Sequence, residues 1–270
     1  MKNTITIIVA GFMKNLLIMV LICLFSISGV LSCASISNTN VRKEYPRVDS
    51  KPPFDAFGLV IIETTYKPGE CLPSKNIEMC HEVIKLLPPV KKPSVGSGLL
   101  VQGKTKTVFL TAAHVCLPDE IAIYERDGMR IKLEPTNSLK VRVHTGETIT
   151  GNVEKTDVKS DLCAVSLEKS FAKPVKWAEK APNKGDKVYA LSAPMGINDA
   201  EMTLFFSGYY SGKIYGMHHY TIPTRPGSSG SVVLDRNYNG VGMLNAAYIT
   251  MESIGIGAGH EAIKSFLDSI

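Results

Sequence analysis

From residue 57 onward the chain is a succession of short β-branched or apolar runs divided by turn residues. They include FGLVIIETTY, VGSGLLVQ, TVFLTAAHV, EIAIYE, LKVRVHT, LCAVSL, KVYALSAP, MTLFFSGYY, GSVVLD and GVGMLNAAYI. Runs of this length at this spacing predict an all-β protein, either an antiparallel sandwich or a barrel. No regular helical pattern separates them, which disfavours a parallel α/β sheet. Only HEAIKSFLDSI, from His260, differs: Ile263, Phe266, Leu267 and Ile270 recur at helical spacing. This predicts an amphipathic helix that packs on the β structure and has no chemical role.

The N-terminus follows another pattern. Residues 1–34 hold Lys2 and Lys14, no acid, and an apolar run over residues 16–32 that ends in small side chains. That is the layout of a secretory signal peptide, and the run is also just long enough for an uncleaved membrane anchor. Ser32-Cys33-Ala34 supplies a small-x-small cleavage pattern, while Val30-Leu31-Ser32-Cys33 resembles a lipoprotein box that would lipidate Cys33. Each alternative places the folded part outside the cytoplasm, secreted, periplasmic or tethered to the membrane. Residues 35–55 are polar and broken by Pro, as a linker would be.

Composition narrows the picture further. With 270 residues, 44% hydrophobic and 20% charged, the chain is globular and long enough for a sizeable core. The net charge of +5 includes two leader lysines, so the remainder is close to neutral, and nucleic acid is not an expected partner. Four of the six cysteines, Cys71, Cys80, Cys116 and Cys163, lie beyond the leader. In an exported chain they allow two bridges in any of three connectivities. Cys71 and Cys80 bracket a short loop and are the easier pair, which leaves Cys116 with Cys163. No Cys/His spacing of a metal site occurs, and adjacent His218 and His219 face opposite sides of a strand.

Three segments carry candidate chemistry, in the order His, Asp, Ser. In VFLTAAHVC an apolar strand runs into small residues and then presents His114. In SDLCAVSL, Asp161 opens an alternating strand, and in TRPGSSGSVVLD the residues Gly227 to Ser231 form a tight turn into a strand. Each is commonplace alone. Together they meet the needs of nucleophilic acyl transfer: a hydroxyl, an imidazole to take its proton, and a carboxylate to orient the imidazole. Glycines beside the serine let backbone N–H groups face a developing oxyanion.

At these motifs the chain resembles the trypsin-like, chymotrypsin-fold serine proteases, and their compact bacterial members in particular. The T-A-A-H motif maps onto His114, the D-L-A-V-type strand onto Asp161 and G-x-S-G onto Ser229. GDKVYALSAPMG, residues 185–196, matches a fourth family motif. The resemblance implies two antiparallel six-stranded β-barrels, over residues 56–172 and 173–270, the second carrying the terminal helix. It implies a serine endopeptidase that cleaves protein or peptide substrates through an acyl-enzyme, with no metal or organic cofactor. His114, Asp161 and Ser229 would be catalytic, and the N–H groups of Gly227 and Ser229 would form the oxyanion hole. Asp157 competes with Asp161 but does not lead the apolar alternation.

Two departures matter. Ser228 replaces the Asp that precedes the nucleophile in the digestive enzymes, so activation by an ion pair with a new amino terminus is not expected. Pro223 stands where an acid would confer preference for Arg or Lys. Thr224, Leu244 and Ala246 then predict a pocket for a small or apolar side chain, with Arg225 able to turn toward its mouth. The rival readings are a catalytically inactive protease-like binding module and, on a different fold, a serine esterase; the order of the motifs and the lack of a strand-G-x-S-x-G-helix elbow disfavour the latter.

Overall fold

A computed structural model describes residues 51–117, 122–248 and 250–270. The leader with its signal, anchor and lipidation alternatives, and the linker up to residue 50, lie outside the described residues. Among those described, no helix is long and apolar enough to cross a membrane.

The first half supplies β1 (Phe57–Cys71), β2 (Val90–Gln102), β3 (Thr107–Thr111), β4 (Ala122–Arg126), β5 (Met129–Val143), β6 (Thr148–Asp157) and β7 (Leu162–Leu167). They hydrogen-bond in the order β1-β2-β3-β7-β6-β5-β4, and β1 also pairs with β5. Six antiparallel strands therefore close into a barrel, with β4 added outside on β5. The second half supplies β8 (Lys187–Ser192), β9 (Asn198–Asp199), β10 (Met202–Ile214), β11 (Met217–Tyr220), β12 (Ser231–Leu234), β13 (Gly240–Tyr248) and β14 (Met251–Gly259). Their order is β11-β14-β13-β12-β8-β10-β9, closed by β11 on β10, which gives a second six-stranded barrel with β9 appended. Closure gives every strand of each six-stranded barrel two neighbours over at least part of its length.

The strands outrun the apolar segments that mark them in the sequence, and they pass through three prolines. Pairing of β1 with β2 ends at Tyr66 and Val90, so Pro68 lies where β1 has β5 as its sole neighbour. Pro93 precedes the stretch of β2 that pairs with β3, and Pro135 falls between the β4-paired and β6-paired parts of β5. Each proline thus occupies an edge position, where its missing N–H costs no ladder bond.

The overhanging ends of β1 and β5 carry a helix that the sequence pattern did not predict, α1 (Ile77–Val83). Seven residues are too few to hold a helix alone. A disulfide from Cys71 to Cys80 and a small core of Cys80, Met129 and Ile131 hold it in place. The second disulfide joins Cys116 to Cys163, so both bridges follow the expected pairing.

The main core is continuous across the barrel junction. It joins Val60, Leu99, Phe109, Leu110, Val141 and Val165 of the first barrel to Leu191, Val232 and Met243 of the second. The predicted terminal helix is α3 (His260–Asp268), and it buries Ile263, Phe266 and Leu267 in this same core. Burial of such side chains stabilises by roughly 1.5–3 kcal/mol each, so the helix helps fix the two barrels to one another.

Candidate active site

β3 ends at Thr111, and Ala112 and Ala113 follow it; all three are buried. One helical turn, α2 (Ala113–Cys116), then lifts His114 out of the core with its side chain half exposed. On the neighbouring strand Asp161 stands just before β7 with φ of 55°. This left-handed conformation suits Asp and Asn better than most residues. It turns the carboxylate onto α2, where one oxygen accepts the His114 backbone N–H at 2.9 Å and the other lies 2.8 Å from the ring Nδ1. A carboxylate can only accept here, so Nδ1 is the donor and Nε2 is the ring nitrogen left outside this contact.

Asp157, the competing acid, does something else. Its carboxylate accepts the backbone N–H groups of Lys159 and Ser160 at 3.0 and 3.2 Å. Hydrogen bonding from the Ser160 side chain, with help from these N–H groups, holds its pKa below the usual carboxylate range. It caps the turn that delivers Asp161.

Ser229 lies in the turn before β12, between Gly227 (φ 94°) and Gly230 (φ 90°). At position 227 a Cβ would come within 2.6 Å of the Ala193 carbonyl oxygen. At 230 it would meet the Ser97 carbonyl at 2.2 Å and Thr111 Oγ1 at 2.3 Å. Glycine is required at both places on grounds of φ and of space, and the close approach at 230 presses the Ser229 turn against the strand end that leads to His114. The N–H groups of Gly227 and Ser229 donate to no other backbone group among the described residues. Ser228 and Ser231 are fully buried, whereas Ser229 is partly exposed.

The Ser229 hydroxyl donates to the carbonyl of Asn245, at 3.2 Å. Among the described residues no hydrogen bond joins it to His114. Asn245 lies on β13, and its side-chain amide donates to the carbonyl oxygens of Asp161, at 3.1 Å, and Ser160, at 3.4 Å. One residue thus ties the serine turn of the second barrel to the aspartate turn of the first. Sequence reading missed Asn245, because its role depends on the position of β13 beside both turns.

A cavity of about 460 Å³ opens beside Ser229, lined by Thr224, Arg225, Pro226, Ala246, Ala247, Tyr248 and Glu252. Thr224 and Ala246, two of the residues expected to form the substrate pocket, line this cavity, whereas Leu244 does not: it is fully buried in the core of the second barrel, with Val188, Tyr220 and Val241. The cause is an irregularity of β13 between Leu244 and Ala246 in its pairing with β14, so that Leu244, opposite Ser231, faces inward while Ala246 reaches the cleft. A second cavity, of about 520 Å³, runs past Asp161 and Asn245 and shares Ala246 with the first, so the cleft extends on both sides of that residue. Among the described residues no cluster of His, Cys, Asp or Glu is arranged to hold a metal ion. His218 and His219 separate as expected: His218 meets the Tyr210 hydroxyl at 2.9 Å and His219 meets that of Tyr248 at 3.0 Å.

Two closed six-stranded barrels, a His–Asp pair on one and a glycine-flanked serine turn on the other, are the architecture of the chymotrypsin-fold peptidases. The family model for the trypsin-like peptidase domain matches residues 96–243, and the chain belongs to that family. Similar solved structures include the Rv3671c protease from M. tuberculosis in its active form, with TM-score 0.51 and 16% identity over 78% of this chain and 79% of that one. An inactive form of Rv3671c, a serine-to-alanine mutant, aligns with TM-score 0.49 and 15% identity over 78% of this chain and 85% of that one. No curated protein matches the sequence.

Proposed function

We propose that the protein is a serine endopeptidase in which Ser229 is the nucleophile, His114 the general base and then general acid, and Asp161 the group that orients His114. The observation that carries this reading is the 2.8 Å contact between Asp161 and His114 Nδ1, which leaves Nε2 free to take a proton. On this reading the Ser229 hydroxyl, which donates to the Asn245 carbonyl in the free protein, turns to that nitrogen when substrate binds. The hydroxyl then adds to the substrate carbonyl, and the unengaged N–H groups of Gly227 and Ser229 receive the oxyanion. His114 passes its proton to the leaving amine, and water hydrolyses the acyl-enzyme by the reverse sequence of proton transfers. Two disulfides and the apolar leader support action outside the cytoplasm.

The test is labelling of folded protein by a fluorophosphonate, which reacts with an activated serine. Labelling of wild type that is lost in Ser229→Ala is the expected result. An unlabelled wild type would instead favour a protease-like binding module.

A further inference from the structure

The cavity beside Ser229 has a property that neither its apolar walls nor its size would suggest. Two of its lining residues are charged, and they pair with each other: the Arg225 guanidinium bridges the Glu252 carboxylate. Arg225 belongs to the turn that leads to Ser229, and Glu252 to the start of β14. The Thr224 N–H donates to the Glu252 carbonyl at 2.8 Å, which fixes these segments side by side. Thr224 adds no further polar demand, because its buried hydroxyl already donates to the Ile222 carbonyl. Opposite stand Ala246, Ala247 and the ring of Tyr248, steadied by stacking on His219.

We infer that the Arg225–Glu252 pair is a charge filter: it restricts the substrate side chain preceding the scissile bond to uncharged, chiefly apolar residues. The inference rests on the endopeptidase reading above. Both partners are half exposed in the free protein, with side chains 55% and 41% accessible, so the pair contributes little to stability. Its effect arises when a substrate side chain fills the cavity and expels water, because each charge then needs its partner. An incoming carboxylate meets an Arg225 charge that Glu252 already offsets, and an incoming ammonium meets a Glu252 charge that Arg225 already offsets. Either arrival leaves one net charge in a drying cavity. An apolar side chain leaves the pair intact and covers the Tyr248 and Ala246 walls.

The arrangement predicts opposite consequences for its two halves. Removing Glu252 exposes Arg225 to acidic side chains, and removing Arg225 exposes Glu252 to basic ones. The experiment measures kcat/KM on fluorogenic peptides that differ only in the residue before the scissile bond, Leu, Glu or Lys. Wild type, Glu252→Gln, Arg225→Gln and the double variant are compared. Wild type should favour Leu over both charged residues by at least about tenfold. Glu252→Gln should raise the Glu/Leu ratio about tenfold or more without raising Lys/Leu, Arg225→Gln should do the reverse, and the double variant should keep the preference for Leu. Wild type that cleaves after Glu or Lys as well as after Leu, or single variants with unchanged ratios, would overturn the filter. Fluorophosphonate labelling of the same preparations separates the two levels. A labelled enzyme with the wrong profile defeats the filter alone, whereas an unlabelled wild type defeats the endopeptidase reading and the filter with it.

Discussion

The hydroxyl of Ser97, on β2 of the first barrel, donates to the carbonyl of Gly227 in the serine turn of the second, at 2.8 Å. The same hydroxyl accepts the Ala193 N–H at 2.9 Å, and the Ser97 backbone N–H donates to the Ser229 carbonyl at 2.8 Å. Ser97 is wholly buried, so Ser97→Ala leaves a carbonyl and an N–H without partners. Each orphaned group costs roughly 1–3 kcal/mol. The expected outcome is a lower melting temperature together with a fall in kcat of roughly tenfold or more at little changed KM, the pattern of a lost transition-state interaction. Thermal melts and steady-state kinetics check both parts, and unchanged kcat would show that the serine turn holds its shape without this tie.

Asp161→Asn should preserve the fold, because Asn tolerates the left-handed backbone that Asp161 adopts. It should still remove most activity, on the order of 10⁴-fold, because an amide does not hold His114 in the tautomer with a basic Nε2. Circular dichroism and kcat/KM measured on one preparation test this. Near-normal turnover would move the orienting role away from Asp161.

Cys116 lies two residues beyond His114 and Cys163 two beyond Asp161, so their disulfide joins the two segments that carry the pair. It closes a separation of 47 residues, for which the chain-entropy model gives about 4 kcal/mol. The Cys71–Cys80 bridge closes only 9, worth roughly 2.5 kcal/mol on the same model, and lies in the α1 extension. Replacing both Cys116 and Cys163 by Ala should therefore lower the denaturant midpoint more than the same change at Cys71 and Cys80. Only the former should also depress kcat. Equal effects on activity would count against a positioning role for the inner bridge.

Burial, reinforced by Lys213 and His219 and partly opposed by Glu261, lowers the pKa of His218 from its ordinary 6.5. Below about pH 6.5 the unfolded chain takes up a proton at this position that the native state refuses. Stability should fall as the pH drops through that value toward the native pKa, and then level off. Melting temperatures between pH 8 and pH 5 should show a steeper acid-side decline for wild type than for His218→Asn. Parallel curves would assign the decline to other groups.

The strands, the terminal helix and the His, Asp and Ser segments were legible because each has a local signature, whereas the two barrels followed only from the family resemblance of those segments. Strand alternation, helical periodicity and short motifs all survive without tertiary information. What escaped depends on register or on long-range support. Leu244 was misplaced and Asn245 overlooked because β13 decides which of its residues face the core and which the cleft. Glu252 becomes part of the cavity only through the pairing that brings β14 to the Arg225 turn. Helix α1 was invisible because its stability comes from a disulfide and from the overhang of β1 and β5. That overhang was itself hidden by prolines that read as turns but occupy strand edges.

The core contacts of α3 are reinforced by hydrogen bonds that reach back to the front half of the chain. Lys104 donates its N–H to the Leu267 carbonyl, Thr105 bonds Ile270, and Lys155 donates to the Ser269 hydroxyl. During synthesis a ribosome will have released every strand of the first barrel long before it makes Ile263, Phe266 and Leu267. Until then that barrel has an uncapped greasy end. The first barrel is therefore finished only after the strands of the second have been made, which couples the folding of the two halves.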